Sequence, residues 1–188
     1  MEKLIKKEVI EICLTTQNDY DDYLGDEWIS LPTDKSEIEK ALNKIKASPS
    51  NPPYISSYST GLESLTKKIE SDNSLIIGET AIYKLNELAE ILSVIPPEDY
   101  LILDTIAEQI SDFDDAVQKY LEQEYRIYEG CDSMEDVAYQ EVNSPDFPYK
   151  LSDFAERFFD YDKYGETIID RSIFVFLLEK MSMLEIFV

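Results

Sequence analysis

Carboxylates dominate the chemistry open to this chain: 40 of its 188 residues are Asp or Glu, 17 are Lys or Arg, and none is His. Without imidazole, serine, cysteine and metal-water mechanisms lose their commonest base and ligand. Carboxylate pairs remain, but among so many acids some pair always falls at glycosidase spacing, so the spacing carries no information. Asp160, Asp162 and Gly165 stand at the first, third and sixth offsets of a calcium loop. Tyr164 and Arg171 hold the fifth and twelfth, where ligands belong, and the match fails there. Asp19, Asp21, Asp22 and Asp26 surround Gly25 at the wrong offset and read as a solvated loop. Cys13 and Cys131 form no CxxC pair and read as reduced thiols. No catalytic residue, metal ligand or cofactor is expected, and an enzyme or calcium sensor is the weakest class.

The charge itself is the stronger signal. The formal net charge is -23 at neutral pH, yet 44% of the residues are hydrophobic, so the acid belongs to a chain able to build cores. It is not a tail: Asp and Glu are interleaved with Leu, Ile, Tyr and Phe, and residues 76 to 188 carry 26 acids against 8 bases. Nucleic-acid binding is excluded by sign, since a duplex repels such a surface. The apolar run Ile173 to Leu178 is broken by Glu179, Lys180 and Glu185 well short of a membrane span. A soluble cytoplasmic protein, in a bacterial host cell, is expected.

The elements that would position these acids fall into three small modules. In residues 1–75, alternation over Lys3 to Leu14 and Glu27 to Leu31 predicts two strands. Asp34 then caps a helix striped by Ile38, Ala41, Leu42 and Ile45. Ala47 to Pro53 is a proline-rich loop, and Tyr54 to Ser59 a third strand. Thr60 with Glu63 is read as a capping box opening a helix of Leu62, Leu65 and Ile69. Residues 76–124 read as all-helical: Thr80 to Leu92, ended by Pro96 and Pro97, then Tyr100 to Ile110, then a helix begun by Ser111 or Asp112. Residues 125–188 are mixed again, with strands at Tyr125 to Tyr128, Thr167 to Asp170, Phe174 to Leu178 and Leu184 to Val188, and helices begun by Ser133 and Ser152. The fold class is α+β.

Periodicity places the acids. Glu79, Glu87 and Glu90 fall opposite the stripe of Ile82, Leu85, Ala89 and Leu92. Asp104 and Glu108 are like-charge neighbours at i, i+4, which costs a helix roughly 0.2 to 0.5 kcal/mol. Asp112, Asp114 and Asp115, then Asp132, Glu135 and Asp136, then Asp160 and Asp162 continue the series. Duplex DNA carries one charge per about 1.7 Å, so a net charge of this size matches roughly 39 Å of helix. These thirteen acids are the candidate phosphate-mimicking contacts for a basic partner.

Four stretches resemble the ArdA-type antirestriction family. They are Gly25 to Pro32 with Trp28 and Leu31, Leu85 to Ala89 leading to Pro96, Ile127 to Ala138 with Asp132 and Asp136, and Phe159 to Gly165 with Asp160, Tyr161, Asp162 and Tyr164. In order and spacing they cover about residues 8 to 170. The resemblance implies three small domains in an elongated arrangement, dimerisation through the last, and DNA mimicry. Such proteins would occupy the DNA site of type I restriction-modification enzymes, on their methyltransferase and specificity core, to protect mobile DNA. This chain departs from the family in having Glu166, where a basic residue usually follows Tyr-Gly, a proline-rich insert and a very apolar end. The alternative is an acidic scaffold or regulator for another basic protein, such as a defence nuclease or nucleoid protein. Trp28 and Pro32 are expected to be structural, and Asp160 and Tyr161 to serve a turn or a contact. Phe154, Phe158 and Phe159 are expected in a core or a dimer interface.

Overall fold

The computed structural model describes residues 8–16 and 26–187. The strand predicted from Lys3 therefore lies partly outside the described residues, as do Asp19, Asp21 and Asp22. The chain is mixed α+β and divides into two compact units, residues 1–104 and 105–188.

In the first unit, β1 (Ile10–Thr16) is central to an antiparallel sheet, flanked by β2 (Glu27–Leu31) and β3 (Pro53–Thr60). Ile12 and Leu14 are fully buried, and Cys13, Thr15 and Thr16 nearly so, so the burial of this central strand is not confined to the one face its alternation predicts. α1 (Lys35–Lys44), α2 (Glu63–Ser71) and α3 (Glu79–Leu92) bury Ile38, Leu65, Ile69, Ile82, Leu85 and Leu92. Pro32 follows a cis peptide bond and is buried, as expected of a structural residue. Trp28 stands opposite Cys13 of β1 on edge strand β2 and is 52% exposed. Asn86 fixes the position of α3 in this unit. Its Oδ1 accepts from the Thr33 amide at 2.8 Å, tying the helix to the turn after Pro32. The bond thus joins the second resembling stretch to the residue that follows the first.

The helix α4 (Tyr100–Ile110) runs through the boundary between the units. In the second unit, α5 (Phe113–Leu121) buries Phe113, Ala116 and Val117. A second antiparallel sheet has β6 (Ser182–Phe187) between β4 (Tyr125–Glu129) and β5 (Ser172–Leu177). The helices α6 (Met134–Val142), α7 (Asp153–Glu156) and α8 (Tyr161–Ile169) complete it.

One expectation is corrected here and another is narrowed. The strand predicted at Thr167 to Asp170 is the end of α8. Its β-branched residues favour strand locally, but Ile168 continues the buried side of a helix already running from Tyr161, and packing overrides propensity. Of the two places expected for Phe154 and Phe158, a core or a dimer interface, the core is excluded, since each is 74% exposed. The single turn of α7 offers no face wide enough to bury both, and they lean on each other with centroids 5.0 Å apart.

The Tyr-Gly step acquires a packing reason. A Cβ on Gly165 would lie 2.7 Å from the Met134 carbonyl oxygen, so α8 crosses α6 at a distance only glycine allows. Gly165→Ala should cost about 2 kcal/mol of unfolding free energy in urea titration, because backbone rather than a flexible side chain must yield. An unchanged midpoint would show that the close approach is not required.

Candidate functional site

The exposed acids are positioned helix by helix. On α3, Glu79, Glu87 and Glu90 are exposed, while Ile82, Leu85, Ala89 and Leu92 are each at most 1% exposed on the opposite side. This is the arrangement expected from periodicity, since the apolar stripe fixes the helix rotation and leaves the glutamates to water.

In the second unit the acids gather at helix N-termini. Asp112 caps α5, its Oδ1 accepting from the amides of Asp114 and Asp115 at 2.9 and 3.0 Å. At α6, Ser133 is the cap. Its Oγ accepts from the Asp136 amide at 3.2 Å and donates to Asp136 Oδ2 at 2.6 Å, which holds the Asp136 carboxyl below its ordinary range. Asp160 caps α8 by accepting from the Lys163 amide at 3.0 Å. Asp132 and Glu135 stand with Asp136 at the start of α6, and Asp162 lies in the first turn of α8, all in the favourable field of a helix N-terminus. The fold thus places like charges where backbone dipoles offset part of their repulsion.

Asp104 has a different task. Its Oδ2 accepts from the Glu63 amide at 3.1 Å and its Oδ1 from the Ser64 amide at 2.9 Å, with a short bond from Ser64 Oγ as well. The capping box read at Thr60 and Glu63 is therefore replaced. The helix begins after Leu62, which has no capping side chain, and a carboxylate 41 residues away supplies the cap. Asp34 likewise stands at the N-cap of α1 without a side-chain bond. The like-charge cost predicted for Asp104 beside Glu108 is offset by that use of Asp104.

Four of the thirteen candidates, Asp104, Asp112, Asp136 and Asp160, thus cap or brace helices. Asp112 and Asp160 stay exposed, and Asp104 and Asp136 are half-buried. The other nine, Glu79, Glu87, Glu90, Glu108, Asp114, Asp115, Asp132, Glu135 and Asp162, are exposed. Lysines of the first unit neutralise different acids: Lys35 pairs with Glu39, Lys40 with Glu37, Lys44 with Glu27 and Lys67 with Glu63. Lys119 pairs with Glu124 at 2.9 Å.

The described residues hold no group of three Cys, Asp or Glu side chains suited to a metal ion, and no helix long and apolar enough to cross a membrane. The chain matches the family model described as antirestriction protein (ArdA) over residues 12–176. It belongs to the ArdA antirestriction family. No curated protein matches the chain. ArdA proteins are antirestriction proteins, which places restriction-modification systems on the other side of the interaction.

A polar network inside the second unit of this ArdA chain escaped the sequence reading. Arg126 Nη1 donates to the Tyr128 hydroxyl at 3.2 Å, and that hydroxyl donates to Glu185 Oε2 at 2.9 Å. Burial pushes the Tyr128 hydroxyl up to about 12, against the pull of Arg126. Only the alternation of β4 and β6, which puts Arg126 opposite Glu185 in register, could have signalled it.

The cap assigned to Asp104 separates stability from recognition. Asp104→Ala should lose about 1 to 2 kcal/mol in urea unfolding. Its partner affinity, measured on folded protein, should stay unchanged; a stable variant with weakened affinity would instead make Asp104 a contact.

Proposed function

We propose that this ArdA protein inhibits restriction by mimicking DNA, lodging in the DNA channel of a type I restriction-modification enzyme, on its methyltransferase and specificity core. The observation that carries the reading is the display of carboxylates on α3, at the starts of α5, α6 and α8, and at Glu108, opposite or beside buried apolar residues. Carboxylates displayed this way present fixed negative charge, and a channel lined with basic side chains is their electrostatic complement. Binding releases the ions held by both surfaces, so it weakens steeply with salt.

The charge is distributed, so neutralising any one of the nine exposed acids changes affinity little, and neutralising several together changes it greatly. The test is capture of a purified type I methyltransferase core at two salt concentrations, with and without its duplex. Raising salt from about 50 to about 200 mM should weaken capture on the order of a thousandfold, and excess duplex should displace the protein. Capture that survives excess duplex would refute mimicry and favour an acidic scaffold that binds a basic protein elsewhere.

Dimerisation through the second unit accompanies this reading. Phe154, Phe158, Leu178 and Met181 are all more than half exposed, which is unusual in so charged a protein and suits a surface covered by a second copy. Sedimentation equilibrium should show a dimer at micromolar concentration that Phe158→Asp weakens. A wild-type monomer under those conditions would remove the dimer from the proposal.

A further inference from the structure

Six aromatic rings of the second unit stand in contact one after another. Between centroids, Tyr139 on α6 lies 5.2 Å from Tyr161, Tyr161 4.9 Å from Phe159, and Phe159 5.6 Å from Tyr164. The row continues with Phe147, 6.1 Å from Tyr164, and Tyr149, 6.3 Å from Phe147. Its four middle rings are half-buried, whereas Tyr139 is 51% and Tyr149 73% exposed. Tilted and edge-on contacts stabilise the inner rings, but they leave a large part of the Tyr139 ring in water.

An inner ring shows which chemistry such a row accepts. Arg171 places its Cζ 5.9 Å from the centroid of Tyr164. Burial and the Glu141 carboxylate push the Tyr164 hydroxyl up while Arg171 pulls it down, so a ring, a cation and a carboxylate act on one another there.

Tyr139 repeats two of those three parts at the surface. Glu135 precedes it by four residues on α6, which makes the two side chains neighbours on the helix, and Glu135 is exposed. Asp160 and Asp162, also exposed, flank Tyr161 in the chain, and Tyr161 is the ring against which Tyr139 rests. An aromatic face carries negative potential, so a cation drawn by these carboxylates and laid over Tyr139 is attracted by both. A guanidinium suits the position better than an ammonium, being planar and more weakly hydrated. A second copy of this chain does not suit it, because it brings the same surplus of acid, and a symmetric contact centred here would set the acidic rim against itself. Phe154 and Phe158, assigned above to the dimer, form a separate pair.

We propose that Tyr139 is the contact for an arginine side chain of the partner protein, stacked on the Tyr139 ring with its charge met by Glu135. That the partner is a restriction-modification enzyme rests on the function proposed above; that it presents arginine rests on the ring and its acids. The contact adds a directional element to an otherwise distributed surface. Removing the ring changes no charge, so it lowers affinity without altering the dependence on salt.

Two measurements test this. Isotope-labelled protein is titrated at low salt with acetyl-Arg-Gly-Arg amide and with acetyl-Lys-Gly-Lys amide, and capture of the methyltransferase core is followed over a series of salt concentrations. The arginine peptide should shift the resonances of Tyr139 and Tyr161 several-fold more than the lysine peptide. Tyr139→Leu, which keeps an apolar contact with Tyr161, should abolish that excess. In capture, Tyr139→Leu should weaken binding about tenfold at every salt concentration, and Tyr139→Phe should restore it. Should Tyr139→Leu fail to fold, Glu135→Gln, at an exposed position, should weaken the arginine shifts at Tyr139 about threefold. Equal shifts with the two peptides, an arginine preference that survives Tyr139→Leu, or arginine shifts unchanged by Glu135→Gln would overturn the assignment. So would loss of the dimer in Tyr139→Leu by sedimentation, which would give the ring to a second copy. An arginine preference at Tyr139 without capture of the core by wild type would leave the contact standing and remove the proposed function. Capture that Tyr139→Leu leaves intact would do the reverse.

Discussion

Mutual repulsion among carboxylates is the constraint to which every part of this structure answers. A net charge of -23 on 188 residues opposes compaction, and the fold accommodates it without cancelling it. The core is ordinary, built of Ile, Leu, Val and Ala. The unusual feature is where the acids go. At the starts of α5 and α8 they accept from free backbone amides, at α6 Asp136 accepts from the Ser133 hydroxyl, and all lie in the helix field, so groups that repel one another are each held by a local attraction. On α3 they are kept apart from the core by helix rotation alone.

Such an arrangement links stability to function. Lysines are concentrated among the acids of α1 and α2, where they form pairs such as Lys40 with Glu37, and are scarce along α3 to α5. Exposed pairs contribute little free energy, so their importance here lies in the field rather than in stability. The hydrogen bonds to Asp112, Asp136 and Asp160 fix those carboxylates in place. A charged surface fixed before binding loses less conformational freedom when it meets its complement.

Much of the helical organisation was legible because it is local. The stripe of Ile82, Leu85, Ala89 and Leu92 has helical spacing, and Asp112, Ser133 and Ser152 occupy the cap positions their residue types favour. The Thr167 to Asp170 segment was misread because Thr-Ile-Ile carries strand propensity, and only the packing of α8 on α6 shows which influence prevails. For Phe154 and Phe158 the sequence left a core or a dimer interface open, and a one-turn helix removed the core. The candidate acids were legible in sign and in face, though not in division of labour.

Sequence alone determined what depends on neighbours a few residues apart: the sign of the surface, the helix faces, the caps of α5 and α6, and membership of the ArdA family. Tertiary structure decided what depends on residues far apart in the chain. It turned Asp104 into the cap of α2, made Gly165 the contact point with Met134, and tied Asn86 to Thr33. The physical reason is the same in each case. A hydrogen bond or a steric limit acts over a few ångströms, and which atoms come that close is settled only when the elements pack.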